Sequence, residues 1–181
     1  VDREDSKIRI LFEDQNEQIF DHIVFACNAD QALKLIKNPT LEEKNLLGVW
    51  KYKEGRVVVH QDHTYFPARH LIQAYTFLYT NTQYGLETSV NGALWHEPQV
   101  SSDCDYISSQ HPNFPIKKEL IEFETTLRTP IFDFNSYPTI KKLPSLNGTL
   151  GTYYCGSHFG FGLHDDAVSS ALEVAHKLKC G

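Results

Sequence analysis

Polar and apolar positions alternate at the start of the chain. Ile8, Ile10 and Phe12 fall on one face, polar "QNEQ" interrupts, and an apolar stretch resumes, which predicts two strands around a turn. "IVFAC", residues 23–27, is an unbroken apolar run of strand length. Such a run suits a strand buried on both faces in a parallel sheet. "NADQALKLIKN" then predicts a short helix, with Asn28 or Asp30 near its N-cap and Pro39 as its stop. "TLEEKNLLG" predicts a second helix, with Thr40 and Glu43 as a capping box and Gly48 as the C-cap.

From residue 49 the period shortens. "VWKYKEGRVVVHQ" predicts a hairpin turning at Glu54-Gly55. "LIQAYTFLYT" and "YGLETSVNGALW" are aromatic and β-branched and predict antiparallel strands joined by "NTQ". "SSDCDYISSQHPNFP" predicts a loop, and "KKELIEFETTL" fits a strand slightly better than a helix. A Pro-punctuated connector, 129–148, carries one helical turn. "TLGTYYCGS" is then a strand, followed by a glycine loop and a helix from about 166 to 179. Ala167, Val168, Ala171, Leu172, Ala175 and Leu178 share one face of that helix. The expected class is α+β: α/β pieces at both ends, pairing in one region, with a mostly antiparallel sheet inserted between them.

Composition narrows the function classes. The 181 residues are 41% hydrophobic and carry a net charge of −6, with no Lys/Arg block, which argues against nucleic acid or an anionic membrane surface as partner. No apolar stretch approaches a membrane span, and the reading is a soluble, cytoplasmic protein with no targeting segment. Cys27, Cys104, Cys155 and Cys180 are far apart and form neither a zinc pattern nor a disulfide framework. The chain contains no Met and begins at Val1, so the expectation is a piece of a longer protein.

The junction "CGSHFGFGLHDDAVSS" has two readings. A strand running through Gly156, Gly160 and Gly162 into a helix creates free N–H groups and a positive dipole end, where a flat or anionic ligand finds partners. Alternatively the glycines make a tight turn, and Asp165 or Asp166 caps the helix.

The same stretch resembles the carboxyl-terminal flavin motif of the flavin-containing amine oxidase superfamily. It is most similar to a bacterial group of NAD/FAD-binding amine-oxidase-like proteins that carry "CGAYxGxGFHEDG". "FDHIVFACNADQALKLI" resembles that group's "FDHVVFACHADQAL", and "VVVHQDHTYFPAR" resembles "VLHTDxxLMPxR", in the same order. The region 85–128 has no such match. The resemblance implies that residues 1–37 and 136–181 belong to a Rossmann-like FAD-binding domain and residues 38–135 to a substrate domain. It implies that Gly156 and Ser157 approach the cofactor's ribityl–pyrophosphate arm. It also implies that Asp166, Ala167 and Val168 meet the isoalloxazine edge through backbone N–H groups. A helix N-terminus there favours the negative charge of a reduced flavin.

The chain departs from the pattern in two ways. Ala167 stands where the group has Gly, and no GxGxxG is present to hold a pyrophosphate. The chain alone is therefore expected to bind FAD weakly or not at all. Its expected role is the carboxyl-terminal part of an FAD-dependent oxidoreductase that oxidises an amine or a C–H bond by hydride transfer. Its partners would be the missing amino-terminal FAD-binding part, a small-molecule substrate and, through exposed strand edges, a second copy. The catalytic residues are not identified. The rival is a stand-alone binding module that shares ancestry with flavoproteins and binds no flavin.

Other constellations in the chain have the residue types of a reactive site. His60, Asp62, His63 and His70 invite a metallohydrolase reading against solvated loop histidines; on a strand 60 and 63 face apart, and a turn would reunite them. His111 reads as surface. Cys155 with His158 or His164 has the spacing of a nucleophile pair, and Cys155 or His158 of a covalent flavin link, against a plain buried thiol. Asn147 opens an NGT sequon. Phe159 and Phe161 either stack on flavin or plug the gap beside the helix. Tyr75, Phe77, Tyr79, Tyr84 and Trp95 either fill the core, the favoured reading, or line a substrate cavity.

Overall fold

The structure, a computed structural model, describes residues 1–4, 7–83, 85–101 and 103–180. The architecture is α+β. Two compact units emerge, Val1–Lys53 with Thr129–Gly181, and Glu54–Arg128. The first unit takes in more of the chain than the division at 37 and 135 anticipated, because the second helix and Trp50 lie in its core.

In the first unit β1 (Asp2–Glu4), β2 (Lys7–Leu11) and β3 (Glu17–Phe20) form an antiparallel sheet in that order. The β2–β3 turn sits earlier than "QNEQ". Phe12 and Asn16 pair across it, Gln15 has φ +66°, and the Asp14 carboxylate accepts from the Asn16 N–H at 3.1 Å. An Asx-type bond at Asp14 outcompetes the later polar run.

β4 (Ile23–Phe25) leads into α1 (Ala29–Leu35), and α2 (Leu41–Leu47) follows. α1 is capped at Asn28, whose N–H donates to Gln31 Oε1 at 3.3 Å. α2 carries the expected capping box: Glu43 N–H donates to Thr40 Oγ1 at 3.1 Å, and Thr40 N–H donates to Glu43 Oε2 at 2.7 Å. Gly48 closes it.

Glu43 does more than cap. It is buried with Arg3, which grips it with both terminal nitrogens and also reaches Asn38 O and Thr152 Oγ1, at 3.1 and 3.3 Å. Tyr154 Oη donates to Glu43 Oε1 at 2.6 Å. Burial raises the Glu43 carboxyl, but the Arg3, Tyr154 and Thr40 donors outweigh it and hold the pKa at about 2.

β5 (Lys51–His60) carries the chain into the second unit, β6 (Tyr75–Thr82), β7 (Gly85–Ala93) and β8 (Ile107–Gln110) follow, and β9 (Ile121–Ile131) brings it back. These five form one sheet in the order β6-β7-β8-β5-β9.

Two expectations fail here. Lys51–His60 is a single strand, not a hairpin: Gly55 has no positive φ, and its missing Cβ makes room for the His111 ring. The stretch expected as a loop contains β8, whose Ile107 and Ser109 point into the interior and whose polar residues hide it from a hydropathy reading. The ambiguous "KKELIEFETTL" opens with a 3₁₀ turn, Lys118–Leu120, and from Ile121 it is strand, in β9.

After β9, 3₁₀ turns at Tyr137–Thr139 and Leu143–Leu146 bury Thr139, Leu143 and Leu146. Trp50 Nε1 donates to Thr139 Oγ1 at 3.1 Å inside the core formed by Phe25, Leu46, Leu47, Trp50, Leu143 and Tyr154. β10 (Thr152–Tyr154) then pairs in parallel with β4, Tyr154 opposite Phe25, and α3 (His164–Cys180) ends the chain. The parallel strand is not buried on both faces, since Val24 is 41% exposed. Nor does α3 bury its expected stripe. Val174 and Ser170 face inward while Val168, Ala171, Leu172 and Ala175 are exposed.

Candidate functional site

Two termini of the sequence meet at the β4–β10 pair, and both strands end at loops that open into helices. Cys155 N–H donates to Phe25 O at 3.1 Å, which extends the ladder one residue past β10. On the far edge of β10 the Asn147 amide acts as a surrogate strand. Its Oδ1 accepts from Tyr154 N–H at 2.6 Å and its Nδ2 donates to Tyr154 O at 3.1 Å. That amide is committed to the fold, and a glycan on the Asn147 sequon would break both bonds.

Gly156 has φ +148°, and an added Cβ would lie 2.9 Å from the His158 ring. Its N–H donates to Ser170 Oγ at 3.0 Å, and Ser170 also donates to Ala167 O at 2.9 Å, so α3 clamps the turn. Ser157 O accepts from Gly160 and Gly162 at 3.2 and 3.1 Å. The Asp166 carboxylate occupies the space where a Gly160 side chain would be and accepts from Phe161 and Leu163 N–H, each at 2.9 Å. Of the two adjacent aspartates, Asp166 is thus the cap. Phe132 takes the space beside Gly162 at 3.1 Å.

α3 begins at His164, two residues before the expected start, and Ala167 N–H already donates to Leu163 O at 3.3 Å. Of the expected contacts Asp166, Ala167 and Val168, only Asp166 therefore has its N–H in the first turn, together with His164 and Asp165.

His158 is buried, with its ring against Trp50 and Phe159 at centroid distances of 5.6 and 5.0 Å. Burial alone pushes it down to about 4, so it is a neutral imidazole at physiological pH. Phe159 packs against the core, and Phe161 is 68% exposed beside Tyr137. Burial raises both Cys27 and Cys155, which favours thiols over nucleophilic thiolates.

The junction presents three first-turn N–H groups at the positive end of a 17-residue helix, donors suited to a carbonyl or anionic group. The glycine positions are filled by the protein's own side chains, so the close approach they permit is to His158, Asp166 and Phe132 first.

No protein-family model and no curated protein matches the chain. The fold is similar to that of a solved structure, the CLA-producing fatty acid isomerase from P. acnes. The TM-score is 0.60 at 14% identity, over 97% of this chain and 45% of the isomerase chain. The chain thus spans less than half the length of that protein, and the likeness is one of fold.

The second unit holds the other candidates. β5 ends at His60, so the strand alternation does not continue to His63. His60, however, is fully buried with both ring nitrogens used: Nδ1 accepts from Asp62 N–H at 3.1 Å, which leaves Nε2–H to donate to Ser109 Oγ at 2.8 Å. His63 turns to Asp105, with Nε2 3.2 Å from the main-chain oxygen, and stacks on Trp95. Asp62 accepts from Thr64 N–H and Oγ1 and from Lys117 N–H, at 3.0, 2.6 and 2.9 Å. Among the described residues no three His, Cys, Asp or Glu converge as a metal site.

The strand register places Tyr75, Phe77 and Tyr79 on the face that carries Val90, Val57 and Val59. That face is open: the three aromatics are 61%, 52% and 62% exposed. They do not fill the core, as favoured, because the opposite face is the buried one. Trp95 is half-buried under Arg69 at 4.6 Å, and Tyr84 lies outside the described residues. Sequence reasoning missed Asn147 and Ser170 at the junction. The first looked like a sequon, and a serine within a helix gives no local signal.

Proposed function

We propose that this chain is the carboxyl-terminal part of an FAD-dependent oxidoreductase similar to flavin-containing amine oxidases. It would contribute the strand–loop–helix that meets the flavin and a sheet that faces the substrate. The observation that carries this reading is the parallel β4–β10 pair, which sets the two family-like motifs side by side and leads both into helices. The likeness of fold to a fatty acid isomerase supports a relative that transforms a small molecule.

Bound FAD would supply hydride acceptance from an amine or C–H bond. The chain's own part is to present the His164, Asp165 and Asp166 N–H groups at a positive helix end, and to keep Gly156–Ser157 in a fixed turn through Ser170. The Asp166 carboxylate holds the loop through the Phe161 and Leu163 N–H groups. Tyr75, Phe77 and Tyr79 give the substrate side an apolar, uncharged surface.

A visible absorption spectrum tests the reading on two purified proteins, this chain and a longer one carrying any coding sequence upstream. A yellow long form and a colourless short form are expected. If neither holds flavin after FAD is added, the reading fails. The second reading, a binding module without flavin, is favoured by one observation: Asp166 and His158 already fill the glycine cradle.

A further inference from the structure

Beside the glycine loop, within the first unit, lie two adjoining grooves of ≈ 460 and ≈ 520 Å³ that share Tyr137 and Pro138 as a wall. Volumes of this order suit a small ligand. The first is lined by Tyr137, Pro138, Ile140, Phe161 and Lys141, and the second adds Phe132 and fully exposed Phe134.

Among the described residues two charges line the grooves, one in each, and they are not equivalent. The Asp133 carboxylate, in the second groove, accepts from Asn135 and Ser136 N–H, both at 2.8 Å, and those donors hold its pKa down, so its charge serves the turn. Lys141, in the first, forms no ion pair or hydrogen bond through its ammonium group with another described residue. An apolar trough with one uncommitted cation at its edge complements an anion with an apolar body. A cationic head finds the opposite: a like charge at Lys141 and a carboxylate already engaged by backbone donors.

We infer that these grooves bind an amphipathic carboxylate, its head on Lys141 and its hydrocarbon or aromatic body along Tyr137, Pro138, Ile140 and Phe161. The site is separate from the flavin reading, since binding here needs no cofactor, and failure of one leaves the other standing.

The test is calorimetric titration of the 181-residue chain with dodecanoate and dodecylamine below their critical micelle concentrations and with dodecanol below its solubility limit. Saturable dodecanoate binding is expected, at least about fivefold tighter than dodecylamine. Lys141→Glu, at an exposed position that leaves the core intact, should erase that preference while dodecanol binding stays unchanged. Phe161→Ala should weaken dodecanoate and dodecanol alike. Equal affinity for the amine and the carboxylate, a preference that survives Lys141→Glu, or the absence of saturable binding would each overturn the inference.

Discussion

Both units bury apolar side chains, and they differ in the polar groups they take in with them. The first puts Phe25, Leu47, Trp50 and Tyr154 inside together with the buried Arg3–Glu43 ion pair, fully engaged by neighbours. The second puts Ser89, Asn91, Ser109 and His60 inside its sheet and leaves Tyr75, Phe77 and Tyr79 facing out. A polar interior persists only when its groups are bonded to one another, and here they are: Ser89 Oγ donates to Asn91 Oδ1 at 3.0 Å, and His60 pairs with Ser109. The difference teaches that the second unit does not sort its residues by hydropathy alone. Its aromatic sheet face stays open while the polar face opposite is satisfied and buried.

The contrast can be broken most severely in the first unit. Glu43→Gln strands the Arg3 charge in the interior and should cost about 3–5 kcal/mol, read by urea unfolding. An unfolding midpoint that stays put would show the pair to be idle. Gly156→Ala forces a Cβ toward the His158 ring at a φ that L-residues rarely adopt, and should cost about 1–3 kcal/mol. Ser109→Ala takes away the partner of a buried imidazole N–H in the second unit, for a loss of about 1–3 kcal/mol. If it proves neutral, the polar interior is not held by that bond.

Acid separates the contributions further. His158 is neutral when folded, with its pKa depressed from 6.5 to about 4. Its contribution is whole above 6.5 and is lost as pH falls through about 4, since the unfolded chain takes up the proton first. Glu43, depressed from 4.5 to about 2, contributes fully above 4.5 and fails only as pH falls through about 2. His158→Phe should therefore flatten the stability profile between pH 6.5 and 4 and leave the steeper fall below it. His60, lowered chiefly by burial, should add a loss below 6.5 in the second unit, visible as separate imidazole signals in an NMR titration.

The smallest effect on stability belongs to the open sheet face. Phe77→Thr should move the midpoint by no more than about 0.5 kcal/mol. It should nevertheless reduce any self-association seen by light scattering as concentration rises. A concentration-independent monomer before the substitution would remove the face as a self-contact.

Local chemistry made several elements legible. The Thr40–Glu43 box, the Asn28 cap and the Gly48 stop are short-range hydrogen-bonding devices, and the structure uses each as read. The β6–β7 hairpin follows from aromatic and β-branched runs with a short turn between them. Where one residue's role depends on a distant partner, reading failed. Gly55 looked like a turn because glycine permits one; the His111 ring, brought alongside by β8, makes it a gap in a straight strand. The stripe Val168, Ala171, Leu172 and Ala175 looked like a core face, yet all four are exposed.

The sequence by itself determined the helices, the β6–β7 pairing and the presence of a strand–glycine–helix junction, because caps, periods and turns act within a few residues. Only the tertiary structure decided what fills that junction, that Glu43 is both cap and buried ion, and which face of the second sheet is shut away. Those outcomes depend on contacts between residues as far apart as Arg3 and Thr152, or Tyr154 and Glu43. Chain closure on that scale is fixed by packing, which no local window contains.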